Sequence, residues 1–163
     1  MEILNIKISR FPEIIKGVKL YENEKLLIIL SNPVDYMLDG IFFINKKYIK
    51  NIEKTKDLLS LVIFKHKINV DSFIGYKSFD TIYDTIKYHY NQSKLVELTL
   101  ESSSYSIIGN IQHINEKSFF LNMLSVKAEY LQEEKFEYDK IRIVTVNSDY
   151  LNSLEYYLSI SNN

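Results

Sequence analysis

Ile15-Lys16-Gly17-Val18-Lys19-Leu20-Tyr21-Glu22-Asn23-Glu24-Lys25 decides the reading of the fold, because its framework returns without a gap at Ile107-Ile108-Gly109-Asn110-Ile111-Gln112-His113-Ile114-Asn115-Glu116-Lys117. The isoleucine, the glycine and the triplet Asn-Glu-Lys coincide at one separation (109 − 17 = 92). Upstream, the alternating Leu4, Ile6 and Ile8 fall on Val96, Leu98 and Leu100. Downstream the second copy reads as gaining two residues, so that Leu30, Ser31, Tyr36, Phe42 and Ile49 meet Leu124, Ser125, Tyr130, Phe136 and Ile143; the first offset returns at Asp57 and Asp149. Identities, alternation and one compensated insertion together imply a module duplicated head to tail.

Each copy reads as five short strands. Period-two alternation marks first strands at 3–8 and 95–100, and second strands at 14–21 and 106–114 cross Gly17 and Gly109. A glycine inside a strand costs stability unless the sheet bends sharply or another backbone approaches, which points to a small, curved sheet. Asn23-Glu24-Lys25 and Asn115-Glu116-Lys117 read as tight turns into third strands at 26–31 and 118–125. Fourth strands follow at 41–44 and 135–138, and fifth strands at 48–53 and 141–146. Phe79, Ile82, Tyr83, Ile86 and Tyr90 recur at helical spacing behind Asp80 as an N-cap, predicting a helix over 81–91. Asp149 is placed as the cap of a terminal helix carrying Leu151, Leu154 and Leu158; its counterpart, 57–66, reads as a helix, with 61–64 open to a strand. The fold class is thus mainly β with flanking helices (α+β), a tandem duplication of five-stranded barrels each curling into its own closed sheet. The expected boundaries are a first barrel with a C-terminal helix over 1–66, a linker over 67–78, and a second barrel with N- and C-terminal helices over 79–163.

This module resembles the Sm-like (LSm) family, or a related SH3-like barrel. Ile107, Gly109, Ile111, Ile114, Asn115, Phe120 and Leu124 follow the family's first signature, the last once the insertion is allowed; Gly17, Asn23, Ile28 and Leu30 follow it less fully, because Lys19 takes a hydrophobic position. Ile44, Ile49 and Ile52, then Tyr138, Ile143 and Val146, keep the hydrophobic spacing of the second signature. The resemblance implies the barrel, and pairing of a fourth strand with a neighbour's fifth strand, either inside the chain or between chains. It also implies where RNA-binding members hold a base, and those positions here are Leu27 and Phe119, then Asn45-Lys46 and Asp139-Lys140. Leu and Phe cannot supply the amide hydrogen bonds that read a base edge, which argues against uridine-type recognition.

The chain has 163 residues, a net charge of −1 and no cysteine, so it lacks a thiolate metal site, a disulfide and a cysteine nucleophile. Only Arg10 and Arg142 supply guanidinium groups. His66, His89 and His113 are scattered, and Asp84 and His89 sit five apart, on different faces of a helix, so no metal or cofactor is expected. Ser102-Ser103-Ser104 lacks a partner motif and reads as a turn, and the isolated glycines form no phosphate loop; no enzymatic activity is expected. The concentrated charge is Lys46, Lys47, Lys50, Lys54 and Lys56 with Tyr48 among them, readable as a nucleic-acid track or as a guarded sheet edge. Lys46, Lys47, Tyr48, Lys50, Lys140 and Arg142 are therefore the candidate contacts to nucleic acid or a partner. Thirteen tyrosines favour an interface, since Tyr buries area and keeps a polar tip. The expected function is non-enzymatic binding or scaffolding through protein–protein association, with a protein partner or homo-oligomer. RNA binding through the Lys patch is the alternative, and an accessory or immunity role in a bacterium or phage, suggested by abundant Lys, Asn, Ile and Tyr, is another. No membrane partner and a cytoplasmic location are expected, since no signal-like or spanning apolar run is present.

Overall fold

The computed structural model describes residues 1–161, Val70 by its backbone alone; Asn162 and Asn163, within the expected second barrel, lie outside the described residues. The chain is mainly β. Strands β1 (Ile3–Ile8), β2 (Ile14–Glu22), β3 (Leu26–Ser31), β4 (Ile41–Asn45) and β5 (Ile49–Lys54) form the first half. Helix α1 (Leu58–Lys67), a 3-10 segment (Val70–Ser78) and α2 (Ile82–Gln92) lead to β6 (Leu95–Thr99), β7 (Ile107–Ile114), β8 (Ser118–Leu124), β9 (Tyr130–Glu137), β10 (Ile143–Val146) and α3 (Asp149–Ser161).

All ten strands belong to one sheet in the order β5-β1-β2-β3-β4-β10-β6-β7-β8-β9. Both halves therefore carry the same internal order, and the expectation of two separately closed sheets is corrected. The reason lies in β4, whose Ile41-Phe42-Phe43-Ile44 is too apolar to leave an edge open. It pairs antiparallel with Val146-Thr145-Val144-Ile143 of β10.

The ladders also correct the expected insertion. Leu4 faces Gly17 as Val96 faces Gly109, Leu26 faces Asn45 as Ser118 faces Glu137, and Ile6 faces Ile52 as Leu98 faces Val144. The separation of 92 holds through every strand, so Phe42 corresponds to Glu134 and Ile49 to Ile141. Apolar residues two positions further on, Phe136 and Ile143, had mimicked a shift because strand alternation repeats every second residue. Bulges interrupt the second strands at corresponding places, Lys19/Tyr21 and Ile111/His113. The glycines answer to close backbone approach: a Cβ on Gly17 would lie 2.7 Å from the Leu30 carbonyl oxygen, and one on Gly109 closer still to that of Asn122.

The helices obey local capping chemistry. Asp57 caps α1, its carboxylate accepting from the Leu59 amide, which resolves 61–64 as helix. The cap of α2 is Thr81 and not Asp80, because Thr81 and Asp84 form a reciprocal capping box. Asp149 lies in the first turn of α3, and the Ser148 hydroxyl accepts from the Leu151 amide at 3.2 Å. The expected linker packs on the sheet, with Phe73 and Tyr76 against the main core around Phe43, Ile86, Val96 and Phe119. Buried His89 closes that core against Phe43, its ring nitrogen 2.8 Å from the Thr85 carbonyl oxygen. No helix among the described residues is long and apolar enough to cross a membrane.

Candidate functional site

The β4·β10 ladder ends in a groove of about 650 Å³, lined by matching pieces of the two halves. Glu24-Lys25 and Glu116-Lys117 are corresponding turns, and Asn45 and Lys47 correspond to Glu137 and Asp139. The groove floor comes from Ile82 and Tyr83 at the start of α2 and from Tyr138. Tyr138 and Tyr83 meet edge to face at 5.3 Å, and the Tyr138 hydroxyl donates to the Asn115 carbonyl at 3.0 Å. Burial pushes the Tyr138 phenol well above its ordinary range, so it stays a neutral donor.

Asn23 shapes the first turn. Its side-chain oxygen accepts from the Lys25 and Leu26 amides, while its amide group donates to the Phe79 carbonyl and so fixes the approach to α2. Asn45 ties the halves together: its side-chain oxygen accepts from the Lys47 amide and its amide group donates to the Ile141 carbonyl at 3.1 Å. The structure thus assigns Asn45 to the junction, and the residues corresponding to Asn45-Lys46 are Glu137-Tyr138, two residues before the expected Asp139-Lys140. Leu27 and Phe119 are wholly buried.

Four of the six candidate contacts gather at this seam. Lys47 pairs with Asp139 at 2.6 Å, which raises the lysine's proton affinity, and the Tyr48 hydroxyl donates to the Asp139 carbonyl at 2.6 Å. Lys46 donates to the Asn23 carbonyl and pairs with Glu22 at 2.7 Å, and its hydrogen bond to Glu22 holds that carboxyl below its usual range. Arg142 is only 4% exposed, its guanidinium 4.8 Å from the Tyr48 ring and 5.6 Å from that of Phe11, donating to the Glu101 carbonyl. It clamps first-half aromatics to the second half. Lys50 and Lys140 stand exposed, outside the seam.

The Lys run continues into a surface network. Lys54 and Lys19 both bind Glu2, the latter at 2.5 Å; Lys19 reaches Glu22 at 3.5 Å, and Glu22 reaches Lys46. The Glu2 carboxyl is pulled down to about 2 by its hydrogen bonds to Lys19 and then Lys54. Composition alone could not reveal Phe11, Thr81 or Tyr83 as parts of this region. Lys47 and Asp139 did carry a signal, being one repeat position with opposite charges. Among the described residues no group of three or more His, Asp and Glu could hold a metal ion. No protein-family model matches the chain, and neither a curated protein nor a solved structure is detectably similar to it.

Proposed function

We propose that the chain is a non-enzymatic tandem Sm-like or SH3-like protein that works by protein–protein association, and that its partner is a second copy joined head to tail, β9 against β5. The supporting observation is the mirrored charge of the two free edges. β5 and the residues after it carry Lys50, Lys54 and Lys56 against Glu53, whereas β9, at the opposite end of the sheet, carries Glu133, Glu134 and Glu137 against Lys135.

Each outer edge has one hydrogen-bonded neighbour, β1 for β5 and β8 for β9, so its other side offers unpaired backbone groups. Carrying the β4·β10 register to the outer edges sets Lys54 opposite Glu133, Ile52 opposite Lys135 and Asn51 opposite Phe136. Next to these, Lys50 meets Glu137. Glu53 opposite Glu134 is the one like-charge pair, and the balance favours contact. A heterologous contact of this kind builds a ring or an open chain, according to its rotation.

Light scattering over a concentration series tests this. Association at low salt that weakens at high salt is expected, because exposed charge pairs are screened. Glu133→Lys with Glu137→Lys should yield single chains, and mixing with Lys50→Glu plus Lys54→Glu should restore association, with the two variants alternating. A single-chain mass at every concentration and salt would overturn the proposal.

A further inference from the structure

We infer that a second cavity, walled by the 3-10 segment and α2, is a binding site for a small, neutral, planar heteroaromatic molecule. It encloses about 450 Å³ and shares no residue with the junction groove. Phe73, Tyr76, Phe79 and Tyr88 supply its rings. Phe73 and Tyr76 lie near parallel at 22°, and Tyr88 stands across Phe79 at 64° with centroids 5.1 Å apart, so flat surfaces meet at an angle. Tyr88 is 45% exposed and Phe73 and Tyr76 are half-buried, which leaves ring surface open to a guest.

The polar groups are few and uncharged. Asn147, held at φ 54°, lines the cavity with Ser72 and interacts with the Tyr76 side chain. None of the described residues lining the cavity is charged, so an anionic ligand would surrender hydration without a counter-charge. Aromatic walls with a few convergent hydrogen-bonding groups suit a ring that stacks on its face and bonds at its edge. The volume falls in the range of small-molecule sites.

Adenine and indole are the probes, with choline as the cationic and cyclohexanol as the non-aromatic control, read by ligand-observed NMR saturation transfer and calorimetry on the whole chain. Saturable binding of a heteroaromatic probe is expected, with choline and cyclohexanol silent. Tyr88→Ala, at an exposed position, should weaken it at least about tenfold, and Tyr88→Phe should retain it, since stacking is the main attraction. Circular dichroism of both variants confirms that the fold is kept. The inference is overturned if neither heteroaromatic binds, if Tyr88→Ala and Phe73→Ala both leave binding unchanged, or if choline displaces the probe.

Discussion

The seam between the halves and the two outer edges are built from corresponding residues and behave in opposite ways. Where β4 reads Ile41-Phe42-Phe43-Ile44, β9 reads Glu133-Glu134-Lys135-Phe136; where β10 reads Ile143-Val144-Thr145-Val146, β5 reads Asn51-Ile52-Glu53-Lys54. The first pair is buried and joined, and the second is largely exposed. Backbone hydrogen bonding is available at all four strands, so it does not decide which edges join permanently. Side chains decide: apolar edges must be covered for the chain to fold, while charged edges tolerate water and make contact adjustable by salt.

The strongest way to break this contrast is Phe43→Lys, which gives β4 the residue found at the matching place in β9. Phe43 is fully buried, and an unpaired ammonium there should cost roughly 4 kcal/mol or more, enough to abolish cooperative unfolding in a denaturant titration. Phe43→Leu, by comparison, should keep a cooperative transition at lower denaturant. The reverse exchange, Glu133→Ile with Glu134→Phe and Lys135→Phe, gives β9 the seam's sequence. Association should then tighten by at least about tenfold and persist at high salt, measured by sedimentation velocity; salt-sensitive association of unchanged strength would refute the contrast.

A smaller effect is expected at the clamp. Arg142→Gln removes the cation between Tyr48 and Phe11 and should cost about 1–2 kcal/mol by chemical denaturation, with the outer-edge association unaltered. The smallest effects are two pH dependences. Glu2, on the β5 side, has a folded pKa of about 2 against an ordinary 4.5, so its stabilisation is complete above about 4.5 and fades as pH falls toward 2. Glu2→Gln should flatten that part of the stability profile. His89, inside the fold, has its proton affinity lowered by burial; its contribution is full above about 6.5 and declines below it. His89→Gln should flatten the curve there and leave the acid limb intact.

Much of this contrast was legible in the residues. Gly17 and Gly109 announced the close approach of a neighbouring backbone to the second strands, and the Asn-Glu-Lys triplets announced the turns, because each requires local chemistry that few residue types supply. The Lys run at 46–56 was visible as a run, and the structure divides it, with Lys50 and Lys54 on β5 and Lys46 and Lys47 at the seam. Three things were not legible. The single sheet depends on which edges meet in space, and no local pattern reports that. The constant offset was obscured because Phe136 and Ile143 repeat apolar character at the next inward position. Arg142 looked like a surface contact because its burial arises from Tyr48 and Phe11, which are distant in sequence.

The bridge from Lys47 to Asp139 has a consequence for how such a molecule could arise. In an assembly of two identical chains, this position would face its own copy, and either choice of charge would repel. Covalent fusion lets the two occurrences mutate separately, so that opposite signs become accessible. The linked chain can therefore encode which neighbour stands on which side, a distinction that identical subunits cannot write at this place.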